Sequence, residues 1–502
     1  MSVILAFDFG GTNTRAALLD QTGQVIAEHA APQDIPGGPA VTEVDPAHWW
    51  RLFCQSVEAL AEDHAFEAVR GIALTGMTRT QVFLDVAGAV IRPAMTFRDS
   101  RAVEEAAKLA SLAPEGWAER GQLNAFHPAA RLAWLATHEP QHMARLHTVL
   151  DPKDYLNFRL TGRAATDAIS AARLLAVMEG PEAVRSAMSL PATATIAPAL
   201  APTAVLGLVL ADLPGALSRL AGCPVFVMTH DTWAAVAGLG ALQPGLAYNI
   251  SGTTEVTGVI GTEPVEAPGL PLVAGLPLVD WGPGLQQIGG PSQSGADSVA
   301  WFLGLLAAGD TRQAGEKLEQ LLQSPRDEAP ALFLPFLHGE RVPYWNPHLR
   351  AAWLGLNRRH GPADLAWAVL EGVAFLNRTV LARAETALGG QVREVRCGGG
   401  GAASAAWCQI KADVTGRPVV VGRAAQPGLL GCAAVAWTGL GAFPDLGQAQ
   451  QALFHPARRH EPNPARHAAY APLHQTWTQA VATLQEQAEA VASLRAPPAL
   501  AQ

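Results

Sequence analysis

The first apolar positions of the chain form an unbroken run over residues 3–9, a pattern that indicates a strand buried on both faces. A Gly-Gly-Thr turn leads to a second apolar run at 16–20, and a Thr-Gly-Gln turn leads to a third at 25–27. Apolar runs joined by short glycine turns are typical of β-hairpins. The pattern therefore predicts that the chain opens with antiparallel strands and not with a strand that feeds directly into a helix.

The same order of strand, glycine-threonine turn and strand returns at residues 246–260. Two other apolar runs, 224–228 and 392–395, each end at a polar or glycine-rich turn and precede a helical pattern. Ser404 stands where it can cap the second of these helices, and Gly416 stands where that helix would end. Strands that alternate with helices in this way predict the α/β class.

The chain has 502 residues, which exceeds the roughly 250–300 residues at which a single core stops growing. We therefore expect two domains. Hydrophobic residues make up 49% of the chain and charged residues 16%, which supports a large core and excludes a disordered chain. The net charge of −9, without a basic tract, disfavours nucleic acid as a partner.

The five cysteines lie far apart and form neither a Cys-x-x-Cys pair nor a cluster with histidine. This pattern disfavours a disulfide scaffold or a structural zinc site and indicates a reducing compartment. No basic residues precede the first apolar run, so we expect no signal peptide. The longest uncharged stretch, 186–211, contains three prolines, so we expect no membrane span and predict a cytoplasmic protein without a membrane partner.

Asp8 is the first candidate for chemistry, because it ends a strand and is followed closely by Gly10, Gly11 and Thr12. The glycines let backbone N–H groups approach phosphate oxygens, the threonine adds a hydroxyl, and a carboxylate suits Mg²⁺. The Gly-Lys-Ser/Thr of a Walker A loop is absent, and so is a G-x-G-x-x-G fingerprint. The turn at 251–254 can hold a second phosphate, although either turn can also be an ordinary hairpin.

Three further groups of residues can carry chemistry. The glycine run 398–401 suits a flat ligand such as adenine lying on bare backbone, unless it is only a flexible loop. Asp231, at a strand end, can remove a proton from a substrate hydroxyl or can simply cap the following helix. The loop residues Arg79, Asp99 and Arg101 either line a polar ligand pocket or are ordinary solvated charges.

Several motifs together resemble those of a known family, the FGGY carbohydrate kinases of the actin-like ATPase superfamily. Residues 126–135 are similar to the first signature of that family, and residues 351–371 are similar to the second. The Lys-Asp-Tyr-Leu of residues 153–156 and the Arg-Leu-Thr-Gly of residues 159–162 are similar to the xylulokinase branch. The resemblance covers nearly the whole chain.

The resemblance implies an α/β, two-domain actin-like (ribonuclease H-like) fold with a catalytic cleft between domains 1–241 and 242–502. It implies ATP and Mg²⁺ as cofactors, a small sugar or polyol as the partner, and a homodimer as one possible assembly. The implied catalytic base is Asp231, and the implied magnesium ligand is Asp8. The implied phosphate and adenosine contacts are Gly10, Gly11, Thr12, Asn13, Arg15, Thr253, Gly399, Gly400 and Gly401. The implied sugar contacts are Gly76, Met77, Arg79, Asp99 and Asp231.

The sequence departs from individual branches of the family at the implied sugar site. This chain has Met-Thr-Arg at residues 77–79. Glycerol kinases have Arg-Glu at the positions that correspond to 78–79, and xylulokinases have Gln-Met-His at the positions that correspond to 77–79. The His-Asp-Thr of residues 230–232 resembles rhamnulo- and fuculokinases. The predicted substrate is a pentulose such as xylulose, with a deoxyketohexose or a polyol as alternatives. A non-catalytic sugar sensor or a chaperone-like actin-fold ATPase is the alternative from a different class.

Overall fold

A computed structural model describes residues 2–35, 37–38, 40–262, 272–282, 284–306 and 311–494. The chain divides into two compact units. The first consists mainly of Met1–Gly240 and Gln426–Phe454, and the second mainly of Ala241–Glu266, Pro271–Ala425 and His455–Gln502. Each unit contains a central sheet with helices, in agreement with the expected α/β class.

The first unit is built on a six-stranded mixed sheet. In spatial order its strands are Val205–Leu208, Pro224–Phe226, Val69–Gly76, Val3–Phe9, Asn13–Asp20 and Val25–Pro32. The first strand of the chain pairs antiparallel with the second and parallel with Val69–Gly76, so the predicted opening hairpins are confirmed. Its side chains are almost all buried, as the continuous apolar run predicted. This register places Asp8 between Arg15 and Thr75 at one end of the sheet.

The remaining elements of the first unit surround this sheet. Its α-helices are Pro46–Leu60, Val103–Leu112, Pro128–His138, Pro140–Met143, Pro152–Thr161, Ala172–Met178, Glu182–Ala187, Asp231–Gly238, Pro427–Gly439 and Leu446–Leu453. Short 3-10 helices are His64–Ala68, Ala118–Gln122 and Gly215–Leu220. Three two-stranded sheets complete this unit. Glu43–Val44 pairs with Ala94–Met95 and Val82–Leu84 pairs with Thr148–Leu150, both antiparallel, and Thr166–Asp167 pairs parallel with Ala199–Leu200.

The segment Gln426–Phe454 belongs to the first unit by its contacts, although it follows residues of the second unit in the chain. Helix Pro427–Gly439 packs against helix Asp231–Gly238 and the central strands. The two helices approach so closely that a Cβ on Gly431 would lie 2.0 Å from the carbonyl oxygen of Ala234. The proposed domains 1–241 and 242–502 are continuous in sequence, whereas this helix comes from the second domain and packs in the first unit.

The second unit is built on an eight-stranded mixed sheet. In spatial order its strands are Leu272–Val273, Leu276–Asp280, Gln286–Pro291, Glu255–Gly261, Leu246–Ser251, Glu394–Gly398, Val419–Gly422 and Pro456–His460. Its helices are Ala296–Leu305, Thr311–Leu322, Pro362–Leu388, Ala405–Thr415, Pro464–Glu486 and Ala488–Ala492, with a 3-10 helix at Gly400–Ala403. A small antiparallel pair joins Leu332–Leu334 to Ala352–Leu354.

The longest helix, Pro362–Leu388, lies in the core of the second unit. Among the described residues it is the one helix that is long and apolar enough to cross a membrane, and 78% of its most apolar window is buried. Its buried face packs with the helices Ala405–Thr415 and Ala296–Leu305. Its apolar composition is therefore explained by burial inside this unit.

Candidate active site

Asp8 and Asp231 form the centre of the candidate site in the first unit. One carboxylate oxygen of Asp8 is buried and has no hydrogen-bond partner among the described residues. Burial and, to a smaller extent, the negative charge of Asp231 raise the pKa of Asp8 to about 7, against the opposing effect of Arg15. The structure thus brings the two carboxyl groups that the sequence singled out within electrostatic range of each other.

The surroundings of Asp8 fit a magnesium ion. A Cβ on Gly428 would lie 2.8 Å from Oδ2 of Asp8, so this glycine keeps space open beside the carboxylate. A buried carboxylate oxygen without a partner is a position where a cation can bind, and Mg²⁺ prefers oxygen ligands. The described residues contain no group of three or more His, Cys, Asp or Glu side chains that could hold a metal alone. Magnesium held by one carboxylate, water and phosphate oxygens is consistent with this arrangement.

The predicted first phosphate turn follows Asp8 directly. The amide of Gly10 donates to the carbonyl oxygen of Asn13 over 3.1 Å, and a Cβ on Gly10 would lie only 2.8 Å from that oxygen. Gly11 lies against the ring of Phe97, which a Cβ would approach to 3.2 Å. Thr12 and Asn13 are exposed at the tip of the turn. The glycines are therefore required by close packing, and the exposed tip presents backbone and hydroxyl groups that can meet a phosphate.

Asp231 is the first residue of helix Asp231–Gly238, and its side chain is 39% exposed. The helix cap is His230, whose Nδ1 accepts the amide of Trp233, so the alternative that Asp231 is the cap does not hold. Oδ1 of Asp231 accepts the amide of Thr232 over 2.6 Å. The helix N-terminus stabilises a negative charge at this position. A half-exposed carboxylate with one oxygen held by the backbone is suitable for receiving a proton.

The backbone just before Asp231 is strained. Met228 is fully buried and has a φ of 59°, a left-handed conformation that is costly for a residue with a side chain. The chain leaves the sheet here, which explains why the strand predicted to reach residue 228 ends at Phe226. Thr75 also holds this segment, because its hydroxyl donates to the carbonyl oxygen of Thr229 over 2.7 Å. Backbone strain that is held by such contacts is frequent at active sites.

Two of the predicted sugar contacts, Gly76 and Met77, lie beside the phosphate turn, and Arg79 follows them in the chain. Met77 lies next to the phosphate turn, since its amide donates to the carbonyl oxygen of Phe9 over 3.0 Å. Gly76 packs on the same residue, where a Cβ would lie 2.8 Å from the Cβ of Phe9. Arg79 is exposed and has a φ of 57°, and the buried Arg131 holds its carbonyl oxygen over 2.5 Å. This strained turn fixes where the Arg79 side chain starts.

Asp99 differs from the other predicted sugar contacts. It is fully buried, and its carboxylate accepts hydrogen bonds from the side chain of Arg101 and the amide of Thr42. Burial would raise its pKa, but these hydrogen bonds leave the pKa below its ordinary value. The backbone of Asp99 accepts from Arg131, which also holds Arg79. The structure therefore buries the Asp99 carboxylate among hydrogen-bond donors of its own chain.

Arg131 lies within the motif at residues 126–135, for which the sequence predicted no individual role. It is fully buried in helix Pro128–His138 and joins the carbonyl oxygens of Arg79 and Asp99. Burial lowers its pKa to about 10. The signal in the sequence was an arginine among the apolar residues of a helix, since buried charges are rare unless they have partners.

The two predicted nucleotide segments of the second unit pack directly on each other. A Cβ on Gly399 would lie 2.6 Å from the carbonyl oxygen of Ser251, and a Cβ on Gly401 would lie 2.1 Å from its Oγ. Thr253 and Gly400 are exposed. Gly398 ends a strand and Gly400 begins a short 3-10 helix, so the glycine run is not an irregular loop. The turn at 251–254 and the glycine run therefore form one continuous surface.

The helix after the glycine run begins and ends as the sequence predicted. Ser404 caps Ala405–Thr415 by accepting the amide of Trp407 over 3.2 Å, and Gly416 ends it with a φ of 68°. The turn at 251–254 is anchored as well, because the carbonyl oxygens of Gly252 and Thr253 accept the amides of Ala296 and Asp297. Both nucleotide segments are thus held by ordered secondary structure.

Comparison with known proteins assigns the family. Residues 3–238 match the N-terminal domain of the FGGY family of carbohydrate kinases, and residues 247–440 match the C-terminal domain. The chain is 28% identical to the xylulose kinase of Escherichia coli (strain K12) over 499 residues, covering 94% of this chain and 97% of that protein. It is 29% identical to the glycerol kinase of Aromatoleum aromaticum, covering 88% of this chain and 90% of that protein.

A solved structure gives the same result for the fold. The crystal structure of xylulose kinase from Rhodospirillum rubrum superimposes with a TM-score of 0.83 at 27% identity, covering 97% of this chain and 99% of the other. The resemblance found in the motifs and the actin-like two-domain fold are therefore confirmed. The chain belongs to the FGGY family of carbohydrate kinases, phosphotransferases that use ATP to phosphorylate an alcohol group of a small sugar substrate.

Proposed function

We propose that this kinase transfers the γ-phosphoryl group of Mg-ATP to a hydroxyl of a ketose, and that a pentulose such as xylulose is its substrate. The observation that carries the proposal is the proximity of the Asp8 and Asp231 carboxyl groups beside a tight glycine-threonine turn. The relative from Escherichia coli, whose name is xylulose kinase, supports the sugar. A deoxyketohexose and a polyol are the alternatives, and the relative from Aromatoleum aromaticum, named glycerol kinase, represents the polyol case.

Asp231 acts as the general base in this proposal. The carboxylate oxygen that Thr232 does not hold accepts the proton of the attacking sugar hydroxyl. The sugar oxygen forms a bond to the γ-phosphorus as the bond from that phosphorus to the β-phosphate oxygen breaks, and ADP leaves with the bonding electrons. Such a transfer depends on positioning and charge stabilisation more than on covalent chemistry.

Asp8 would hold the magnesium ion, which when bound neutralises charge on the phosphates. Amides and hydroxyls at residues 10–13, together with Arg15, orient the phosphates in the first unit. In the second unit, Thr253 contributes a hydroxyl to a phosphate, and the glycines at 399–401 contact adenosine. Asp8 and Arg15 lie on the two strands beside the first turn, and Gly10, Gly399 and Gly401 are held by close packing.

Gly76, Met77 and Arg79 would contact the sugar. Asp99, which was also expected at the sugar site, would position Arg79 through Arg131, because Arg131 holds the carbonyl oxygens of both residues. Arg79 can donate to a distal hydroxyl or pair with an acidic group, since a guanidinium has five donors. A homodimer and a cytoplasmic location, where ATP is supplied, complete the proposal.

The decisive experiment replaces Asp231 with asparagine. The amide keeps the size of the carboxylate and can still accept the amide of Thr232, but it is a poor proton acceptor. We expect kcat to fall by about 10²- to 10⁴-fold with little change in KM. The assay is ADP release with a panel of ketoses and polyols, which also identifies the substrate. The matched control is Asp445→Asn, an aspartate that caps helix Leu446–Leu453 by accepting the amide of Gln448.

A kcat for Asp231→Asn within tenfold of the unmodified protein would contradict the assignment of the base. If a deoxyketohexose or a polyol increases ADP release and xylulose does not, that compound class replaces xylulose as the proposed substrate, and the proposed reaction stays the same. ADP release that no sugar or polyol increases would reject the kinase proposal.

A further inference from the structure

A buried network of charged and polar side chains lies beneath the two nucleotide segments of the second unit. Its centre is the ion pair between Lys411 and Glu255, with 2.5 Å between Nζ and Oε1. The two side chains are 5% and 2% exposed. Asn249, Ser251 and Asn377 complete the network, which we call the Lys411 network.

Every polar atom of the central pair has partners. Nζ of Lys411 donates to Oδ1 of Asn249 over 2.8 Å and to Oγ of Ser251 over 3.0 Å. Glu255 accepts from Ser251 at one oxygen, over 2.6 Å, and from Asn249 and Asn377 at the other. A buried ion pair contributes little to stability by itself, because desolvation of the two charges offsets their attraction. Such a pair is therefore a candidate for positioning neighbouring groups.

Two side chains connect the network to the nucleotide segments: Ser251, which belongs to it, and Trp407, which contacts Lys411. Ser251 begins the turn that contains Thr253, and its Oγ would be 2.1 Å from a Cβ on Gly401. Trp407 would be 3.0 Å from the same Cβ, and Nζ of Lys411 lies 4.3 Å from the centre of the Trp407 ring. Lys411 thus supports both side chains on which Gly401 rests.

The two strands that flank the turn at 251–254, together with the helix that carries Lys411, explain why this lysine can contact both segments. Asn249 lies on the strand that leads into the turn, and Glu255 lies on the strand that leaves it. Lys411 comes from helix Ala405–Thr415, which follows the glycine run. The pair therefore joins the helix of one segment to both strands of the other.

We propose that Lys411 and Glu255 are positioning residues that lock the glycine run 399–401 onto the turn 251–254, so that adenosine and phosphate are bound by one preorganised surface. This inference rests on the proposed nucleotide contacts of those two segments. It assigns a role to side chains that are buried beneath the two segments. Preorganised surfaces bind more tightly because less ordering remains to be done on binding.

The test measures binding of Mg-ADP by calorimetry, below the melting temperature, in Lys411→Met and Ser251→Ala. Methionine removes the ammonium group but keeps the length of the side chain, and alanine removes only the hydroxyl. We expect Kd to rise by about tenfold in Lys411→Met, the size of one lost charged hydrogen bond, and by threefold or more in Ser251→Ala.

The matched control is Lys153→Met in the first unit. Lys153 is equally buried and pairs with Asp154 and Asp167 over 2.5 and 2.9 Å, so its loss also removes a buried cation. We expect its Kd for Mg-ADP to stay within twofold of the unmodified protein. A network that serves only folding would lower the melting temperature in all variants and leave the Kd of the folded protein unchanged.

A Kd that changes by less than threefold in folded Lys411→Met and Ser251→Ala overturns the inference. An equal rise in Lys153→Met overturns it too, because general loosening would then explain the loss. If Lys411→Met does not fold, the result for Ser251→Ala decides by the same threshold. Failure of the unmodified protein to bind Mg-ADP would instead reject the proposed function, so the two failures are distinguishable.

Discussion

Replacement of Gly401 by alanine tests the close contact between the glycine run and the turn at 251–254. The added Cβ would lie 2.1 Å from Oγ of Ser251, 2.9 Å from its Cβ and 3.0 Å from the ring of Trp407. All three distances are too short, so the backbone or the two side chains must shift. Overpacking of this kind costs about 1–3 kcal/mol, and the lower backbone entropy of alanine in the unfolded chain returns about 0.5 kcal/mol.

Gly400→Ala is the matched control in the same 3-10 helix. A Cβ on Gly400 would meet no atom within 4 Å, so we expect stability to be unchanged or slightly higher. The two neighbouring substitutions should therefore differ by about 2 kcal/mol, or about 4–8 °C in the melting temperature of a unit of this size. Thermal unfolding without nucleotide measures this difference. Equal melting temperatures for the two variants would refute the packing argument.

Two other predictions concern pH and magnesium. Burial raises the pKa of Glu371 from 4.5 to about 7, against the opposing effect of Arg326, so the folded protein binds this proton more tightly than the unfolded chain. Stability should consequently fall as the pH rises from 4.5 to about 7, and relative to Glu371→Gln the loss between pH 5 and pH 8 should be about 2.5 kcal/mol. Urea unfolding at several pH values measures it, and a difference independent of pH would contradict it. Gly428→Ala should raise the magnesium concentration for half-maximal rate by about tenfold or more, because its Cβ would lie 2.8 Å from Oδ2 of Asp8. An unchanged magnesium dependence would exclude the assigned site.

The local elements were largely predictable from the sequence because their signals are local. The continuous apolar run at 3–9 predicted a buried strand, and the glycine turns predicted its antiparallel partner. Ser404 and Gly416 predicted both ends of one helix, since capping depends on residue type within a single turn. Asp8 and Asp231 were identified as candidates because each stands at the end of a strand.

Other features depended on contacts between residues that are distant in sequence. The sequence placed Asp99 on a loop, but it did not indicate that Arg101 and Thr42 hold its buried carboxylate. Helix Pro427–Gly439 follows the second half of the family motifs but packs in the first unit. Nothing local distinguishes a loop carboxylate that faces a ligand from one that has a buried partner.

The sequence alone determined the family, the α/β class, the reaction type and the candidate residues, because glycine turns, helix caps and apolar runs act over a few positions. Only the tertiary structure decided that Asp8 and Asp231 influence each other and that Lys411 and Glu255 pair beneath the nucleotide segments. Burial and pairing of charges depend on the three-dimensional surroundings, which bring together residues separated by 156 or more positions in the chain.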